Sequence, residues 1–333
     1  MTEIIKKVLK TPGISGREQK IADTLRELIA PYADETKIDA LGNLIAYKKG
    51  SAENRKKIML AAHMDEIGFM ATFIDDNGFV RVSNIGGISW TAAAYSRVMF
   101  ENGTRGVIVP EQGVAANDFS AQKFVIDIGA KNKKEAEKKV KIGDAASIVP
   151  ELDRLCGKRY AGRPFDDRIG CAVLIDAAAH MSKCPNDVYF TFTVQEEVGC
   201  RGARTAAFGI APDIAIAYDV TGTGDAVGSR PMAVKLGDGA AIKVKDSSVI
   251  CDARLVDALC AMAKDGGIAY QLELLEYGGT DTSTMQAAGA GTVAGCISIP
   301  TRYIHSAVET LDMRDVEAAS ELTVKIIENG IEL

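Results

Sequence analysis

Two adjacent glutamates end an apolar run in Phe192-Thr193-Val194-Gln195-Glu196-Glu197-Val198-Gly199, directly after Val188-Tyr189-Phe190-Thr191. The run reads as a buried strand, and successive side chains of a strand face opposite ways. A lone carboxylate in such a place costs several kcal/mol or shifts its pKa. Four other stretches put ligand-type residues next to an expected strand or helix end. They carry His63 and Asp65 (AAHMDE), Asp166 (FDDR), Asp219 (AYDV) and His305 (YIHS). Acids gathered this way need a partner of opposite charge.

Convergence of His63, Asp166, Glu197, Asp219 and His305 supplies one: a pair of divalent cations. Imidazoles and carboxylates together suit Zn²⁺, Co²⁺ or Mn²⁺. Two such ions, three carboxylates and one hydroxide between the ions sum to zero charge. One carboxylate must then span both ions, and Asp166, in a loop that opens a helix, is placed for it. Asp65, two residues after His63, is placed to accept the second ring N–H and fix the tautomer. Glu196 is not needed for the charge balance. It is left free as the general base of metal-assisted hydrolysis. Both glutamates reach the site only if the strand bends there, and Gly199 permits a bend.

The elements that position these residues are legible from pattern. Residues 2–10 and 15–31 read as amphipathic helices separated by Thr11-Pro12-Gly13, with Ser15 and Glu18 spaced as a capping box. Residues 44–47 and 57–62 read as strands, the second apolar throughout and so buried on both faces. From 67 to 154 short β-prone pieces alternate with Gly, Asn and Asp turns, interrupted by a charged helix from Lys133 to Val140. This block is expected to be a small β-barrel or sandwich. Strand–helix alternation then resumes. Helices are expected at 169–181, 201–208, 255–263 and 312–327, and strands at 188–194, 214–218, 240–244, 271–275 and 291–298. The pattern predicts an α/β catalytic domain made of 1–66 and 155–333, with 67–154 inserted into it. Ligands usually bind at the carboxyl ends of strands in such sheets.

Composition narrows the function. No apolar run of the 333 residues approaches the ~20 of a membrane span. The start, MTEIIKKVLK, has no signal-peptide core, which favours a cytoplasmic protein. Seven cysteines without a CxxC pair indicate reduced thiols, and a net charge of −6 argues against nucleic acid as a partner. Gly222, Gly224 and Gly228 follow a strand, but their spacing is not that of a dinucleotide loop and no good helix follows. His180, at a helix C-terminus, is assigned no chemistry.

Taken together, the chain resembles the tetrahedral aminopeptidases, which include glutamyl aminopeptidases and proteins once labelled cellulase M. The pieces that carry the resemblance are GISGRE (13–18), DALGNLIA (39–46), AAHMDEIGF (61–69), FVIDIGAKNKKEAEKKVKIGD (124–144), RPFDDRIGC (163–171), FTVQEEVGCRGA (192–203), YDVTGTGD (218–225), YGGTDTS (277–283) and SIPTRYIHS (298–306). The resemblance implies a zinc-peptidase-like three-layer α/β sandwich with a mixed sheet, and a PDZ-like β-barrel inserted for dimerisation. It implies a dodecameric shell built from dimers. It implies that His63, Asp166 and Asp219 hold one metal and Asp166, Glu197 and His305 the other, with Glu196 as base, Asp65 behind His63, and no ligand role for Asp167. Gly279, Thr280 and Asp281 would line the site of the substrate's N-terminal residue.

The expected activity is removal of N-terminal residues from short peptides by an enzyme carrying two ions, Zn²⁺ or Co²⁺. A glycosidase, which also needs two carboxylates, and a non-catalytic assembly protein are the alternatives. The first leaves both histidines and the remaining acids without a task.

Overall fold

The computed structural model describes residues 1–333. The chain opens with helices α1 (Thr2–Lys10) and α2 (Gln19–Ile29), then strands β1 (Glu35–Ile38), β2 (Leu44–Lys48) and β3 (Lys57–His63). Six strands follow: β4 (Gly68–Ile74), β5 (Val80–Ile85), β6 (Arg97–Phe100), β7 (Arg105–Pro110), β8 (Phe124–Asp127) and β9 (Ala145–Ile148), with short helices α3 (Trp90–Ala93) and α4 (Lys133–Ala136) between them. The remainder comprises β10 (Leu152–Arg154), β11 (Arg159–Gly162), α5 (Arg168–His180), β12 (Asp187–Thr193), α6 (Arg201–Ile210), β13 (Ile214–Thr221), β14 (Ala240–Lys245), α7 (Ala253–Asp265), β15 (Tyr270–Leu274), α8 (Thr282–Gln286), β16 (Val293–Arg302), β17 (Glu309–Asp312) and α9 (Met313–Asn329).

Eleven strands form one mixed sheet in the order β1-β2-β12-β3-β13-β16-β17-β11-β10, with β14 on β16 and β15 beyond it. Strand alternation explains its layers. Ile58, Leu60 and Ala62 of β3, and Ile214, Ile216 and Tyr218 of β13, join the larger core with α1, α2, α5, α7 and α9. The intervening Met59 and Ala61, and Ala215 and Ala217, join the opposite core with α6 and α8. Both faces are covered, as the apolar runs require. This is the three-layer α/β sandwich with a mixed sheet.

Strands β4 to β9 close into a separate antiparallel barrel in the order β4-β5-β8-β7-β6-β9. Its core is its own and includes Phe69, Val80, Phe100, Phe124 and Ile126. Trp90 packs at a tilt against Phe69 (ring centroids 5.8 Å apart) and Phe124 (4.9 Å).

Some expected boundaries shift. Residues 152–154, expected to end the inserted block, form strand β10, which pairs with β11 and so belongs to the large sheet. The charged helix stops at Ala136 rather than Val140. Helix α2 starts at Gln19, and Ser15 and Glu18 do not form a capping box. Their side chains turn instead to Asp65 and to the backbone of Gln195. Strand β13 runs on through Asp219 to Thr221.

Candidate metal centre

Strands β3, β12, β13 and β16 run parallel, and their carboxyl ends share one edge of the molecule. Tyr218 pairs with Ala62, so Asp219 and His63 are neighbours in register and lie on the same face. Their side chains meet with His63 Nε2 3.8 Å from Asp219 Oδ1. The adjacent strand β12 brings Thr193 beside His63, and the chain then leaves the sheet.

That departure resolves the paired glutamates. Gln195 takes a left-handed backbone, with φ +56°, and residues 196–199 form a turn outside the strand. Both carboxylates therefore reach one cleft. Asp65 holds the turn: its Oδ1 accepts the N–H of Glu196 (3.0 Å) and its Oδ2 that of Glu197 (3.3 Å). The Ser15 hydroxyl donates to the same carboxylate at 2.6 Å. Glu18 Oε1 accepts the N–H of Gln195 (3.2 Å), and Asn43 Oδ1 accepts that of Val194 (3.0 Å).

Asp166 occupies the middle. Its Oδ1 is 3.0 Å from His63 Nε2 and its Oδ2 3.2 Å from His305 Nε2. His305 Nε2 is also 3.1 Å from Glu197 Oε2, and Glu196 Oε2 lies 4.0 Å from His63 Nε2. All five residues expected to converge do so, with Glu196 alongside. On the far side of His63, Nδ1 sits 3.2 Å from the backbone oxygen of Asp65 and 3.5 Å from its Oδ1.

Asp167 is close enough to complete a cluster with His63 and Asp219. Both its oxygens are already engaged, however. Oδ2 accepts the N–H of His63 (3.2 Å) and Oδ1 that of Gly170 (3.1 Å), which caps α5. Arg168 is buried and donates to the carbonyls of Val8 (2.7 Å) and Thr11 (2.8 Å), pinning that helix to the N-terminal segment.

Glu309 was not read from the sequence. Its Oε2 accepts the N–H groups of Phe165 (2.6 Å) and Asp166 (3.2 Å), and its Oε1 accepts that of His305 (3.1 Å). One side chain thus fixes the loops carrying the central carboxylate and the second imidazole. His305 itself has φ +62°, a conformation that a non-glycine residue keeps only when its surroundings enforce it. The barrel contributes too. A Cβ on Gly86, which has φ +74°, would meet Ile67 Cγ2 at 2.6 Å and Glu197 Cβ at 3.2 Å, and one on Gly87 would crowd the His305 ring at 3.2 Å, so glycine suits this close approach.

Electrostatics show what the cluster lacks. Burial pushes the carboxyls of Glu196 and Asp219 well above their ordinary range and raises Glu197. Burial opposes charge on His63, but Asp166 and Asp65 outweigh it and hold the imidazole well above its usual pKa. Asp166 and Glu197 do the same to His305 against its burial, raising it to about 11. Asp166, between two imidazoles, falls below the usual range despite burial. Glu197 Oε1 is buried with no hydrogen-bond partner. Excess acid, an orphaned carboxylate oxygen and two converging imidazoles fit divalent cations.

The cleft over this cluster holds about 540 Å³. Asp166, Glu196, Glu197 and Asp219, with the His305 imidazole, form its polar side, and Val220, Leu275, Tyr277 and Ile304 an apolar side. Of the loop expected to line the substrate's N-terminal residue, Gly279 faces the cleft. Thr280 and Asp281 are buried behind it, the Thr280 hydroxyl donating to Thr282 (2.9 Å). Ser283 also faces the cleft.

A layered α/β sheet with acids and imidazoles gathered at the ends of its parallel strands, and a barrel set beside them, defines a peptide hydrolase of the metallopeptidase type. The chain belongs to the M42 glutamyl aminopeptidase family, whose pattern matches residues 42–322. It is 37% identical to a lysyl aminopeptidase of Pyrococcus furiosus over 98% of this chain and 96% of that one. The structure of an aminopeptidase from Desulfurococcus kamchatkensis superposes with a TM-score of 0.95, at 40% identity, over 99% of this chain and 94% of the other. That of PhTET1-12s, a dodecamer, superposes with a TM-score of 0.89 at 35% identity, over 98% and 99%. The protein is an aminopeptidase, and the glycosidase alternative is not favoured.

Proposed function

We propose that this aminopeptidase works with two divalent ions. His63, Asp166 and Asp219 would hold one, and Asp166, Glu197 and His305 the other. The observation that carries this reading is the place of Asp166, with one oxygen 3.0 Å from one imidazole and the other 3.2 Å from the second. Bound there, the ions supply Lewis acidity, polarising a carbonyl and making water easier to deprotonate. Zn²⁺ and Co²⁺ both suit the donor set.

The chain's own groups do the rest. Glu196 takes the proton from the attacking water and delivers it to the leaving amine. Asp65 keeps Glu196 and Glu197 in position through their N–H groups and steadies the His63 ring. The apolar wall of Val220, Leu275, Tyr277 and Ile304 receives the substrate's first side chain. No Lys or Arg lines the cleft. Arg230, stacked over the Tyr277 ring, is paired with Glu276 at 3.7 Å. The cleft therefore selects neutral apolar N-terminal residues over acidic ones. Substrates are short peptides.

The assembly is a homo-oligomer, a dodecamer built from dimers. The dodecameric relative supports this, as do the exposed Phe73, Tyr95, Val107 and Ile142 between residues 67 and 154, apolar surface that a partner would cover. A cytoplasmic location is part of the same proposal; no helix is long and apolar enough to cross a membrane.

The test is a panel of aminoacyl chromogenic substrates assayed after chelation and after return of Zn²⁺, Co²⁺ or Mn²⁺. Restoration by metal, with leucyl or methionyl substrates ahead of glutamyl ones, is expected. Full activity after exhaustive chelation overturns the two-ion reading, and a glutamyl preference overturns the reading of the wall.

A further inference from the structure

Cys200 has no part in the reaction above, yet its thiol faces the same cleft. Its Sγ lies 3.1 Å from Glu196 Oε1. The backbone holds it there: Cys200 has φ +49°, its N–H donates to the Glu196 carbonyl (2.8 Å), and its own carbonyl accepts from the Thr284 hydroxyl (3.3 Å). Asp281 completes a triad. A donor atom from each of Glu196, Cys200 and Asp281 falls within 4.8 Å of the others. Asp281 is 3% exposed, its Oδ2 accepts from the Thr193 hydroxyl (2.5 Å), and its Oδ1 is buried without a partner. A buried carboxylate oxygen left unpaired beside a thiol and a second carboxylate fits a cation.

We propose that Cys200, Glu196 and Asp281 form a third cation site, separate from the two-ion centre and selective for a thiophilic ion such as Zn²⁺ or Cd²⁺. Three protein donors leave one position of a tetrahedron open. The sulfur sets the selectivity, because Mg²⁺ and Mn²⁺ prefer oxygen-only shells. Binding breaks the S–H bond, forms a sulfur–metal bond and releases one proton to solvent. The two-ion centre contains no thiol, so the sites differ in chemistry as well as in place.

An ion held here occupies the Glu196 carboxylate, which can then no longer accept a proton. Zinc beyond that needed by the two-ion centre therefore inhibits the enzyme. This consequence rests on Glu196 acting as the base; the binding itself does not.

The decisive experiment titrates the holoenzyme with Cd²⁺ and follows the thiolate-to-cadmium charge-transfer absorbance. Wild type and Cys156→Ser, which lacks the exposed thiol, are expected to show a saturable band at one equivalent. Cys200→Ser is expected to lose it, and Asp281→Asn to weaken it by about tenfold or more. A band that persists in Cys200→Ser, or is absent from wild type, overturns the site. In parallel, excess Zn²⁺ is expected to inhibit wild type, and to inhibit Cys200→Ser far less relative to that variant's own rate without added zinc. Equal inhibition of both overturns the regulatory consequence. Because the absorbance needs no turnover, it decides the site even where the proposed mechanism fails.

Discussion

Asp65 Oδ1 accepts the backbone N–H of Glu196 at 3.0 Å, although its own ring contact is with His63 on the other side. One buried carboxylate thus couples the first imidazole of the site to the turn that carries both glutamates. Asparagine at this position keeps the shape but offers one acceptor oxygen and turns an N–H₂ toward donors. Asp65→Asn is expected to weaken metal binding by about 10–100-fold, the usual effect of losing the partner of a ligating imidazole, and to lower kcat with it. Metal titration of the chelated protein, read by calorimetry, checks this. Unchanged affinity would mean that Asp65 acts on the turn alone.

Glu196→Gln keeps the backbone hydrogen bond to Asp65 and the volume of the side chain, and removes only the basic oxygen. Metal content is expected to equal that of the parent, while kcat falls by about 10²–10⁴-fold, the range for losing a general base. Elemental analysis and steady-state kinetics on the same preparation separate the two effects. A near-parental rate in this variant removes Glu196 from the role.

Most of the site was legible because its residues end strands whose apolar alternation is strong. His63 and Asp219 follow from β3 and β13, which bury both faces, and His305 from its place just past β16. What the pattern left out are residues whose task is to accept backbone N–H groups from elsewhere. Glu309 carries no periodic signature, yet it holds Asp166 and His305. Glu18 was read as a helix cap and instead reaches Gln195, far along the chain. Ser15, Glu18, Asn43 and Asp65 lie in stretches that carried the family resemblance, and all four support the 194–197 turn directly or through Asp65. Short strands such as β1, β10, β11 and β17 were missed because three or four residues are too few for alternation to show. The contribution of Gly86 and Gly87 was invisible for another reason: it depends on where the barrel docks.

His305→Ala removes an imidazole that contacts Asp166 and Glu197 but not Asp219. On the two-ion proposal, an ion at His63 and Asp219 is expected to survive dialysis while the other is lost, with activity falling in step. Metal analysis after dialysis against dilute chelator measures this. Metal content equal to that of the parent would show that His305 does not ligate.

A buried ion triad next to the cleft can be tested by stability alone. Lys243 is fully buried, 2.8 Å from Glu273 Oε1 and 3.3 Å from Asp246 Oδ2. Burial disfavours its charge, but Glu273 and Asp246 outweigh that and raise its pKa above the ordinary lysine value. A raised folded-state pKa means that this contribution is complete at neutral pH and is lost only as pH climbs through the lysine range. The acids in turn hold cleft residues: Glu273 accepts from the Thr221 hydroxyl (2.8 Å) and Asp246 from the Ser248 N–H (2.7 Å). Lys243→Met strands two buried carboxylates and is expected to cost about 3–5 kcal/mol of unfolding free energy at neutral pH. Adding Glu273→Leu removes one of the stranded charges and should recover part of that loss, since replacing a buried ion pair by apolar groups is far milder than breaking it. Urea denaturation of parent, single and double variants at one protein concentration gives the comparison. A single variant as stable as the parent would show that the triad's mutual attraction does not exceed what its burial costs.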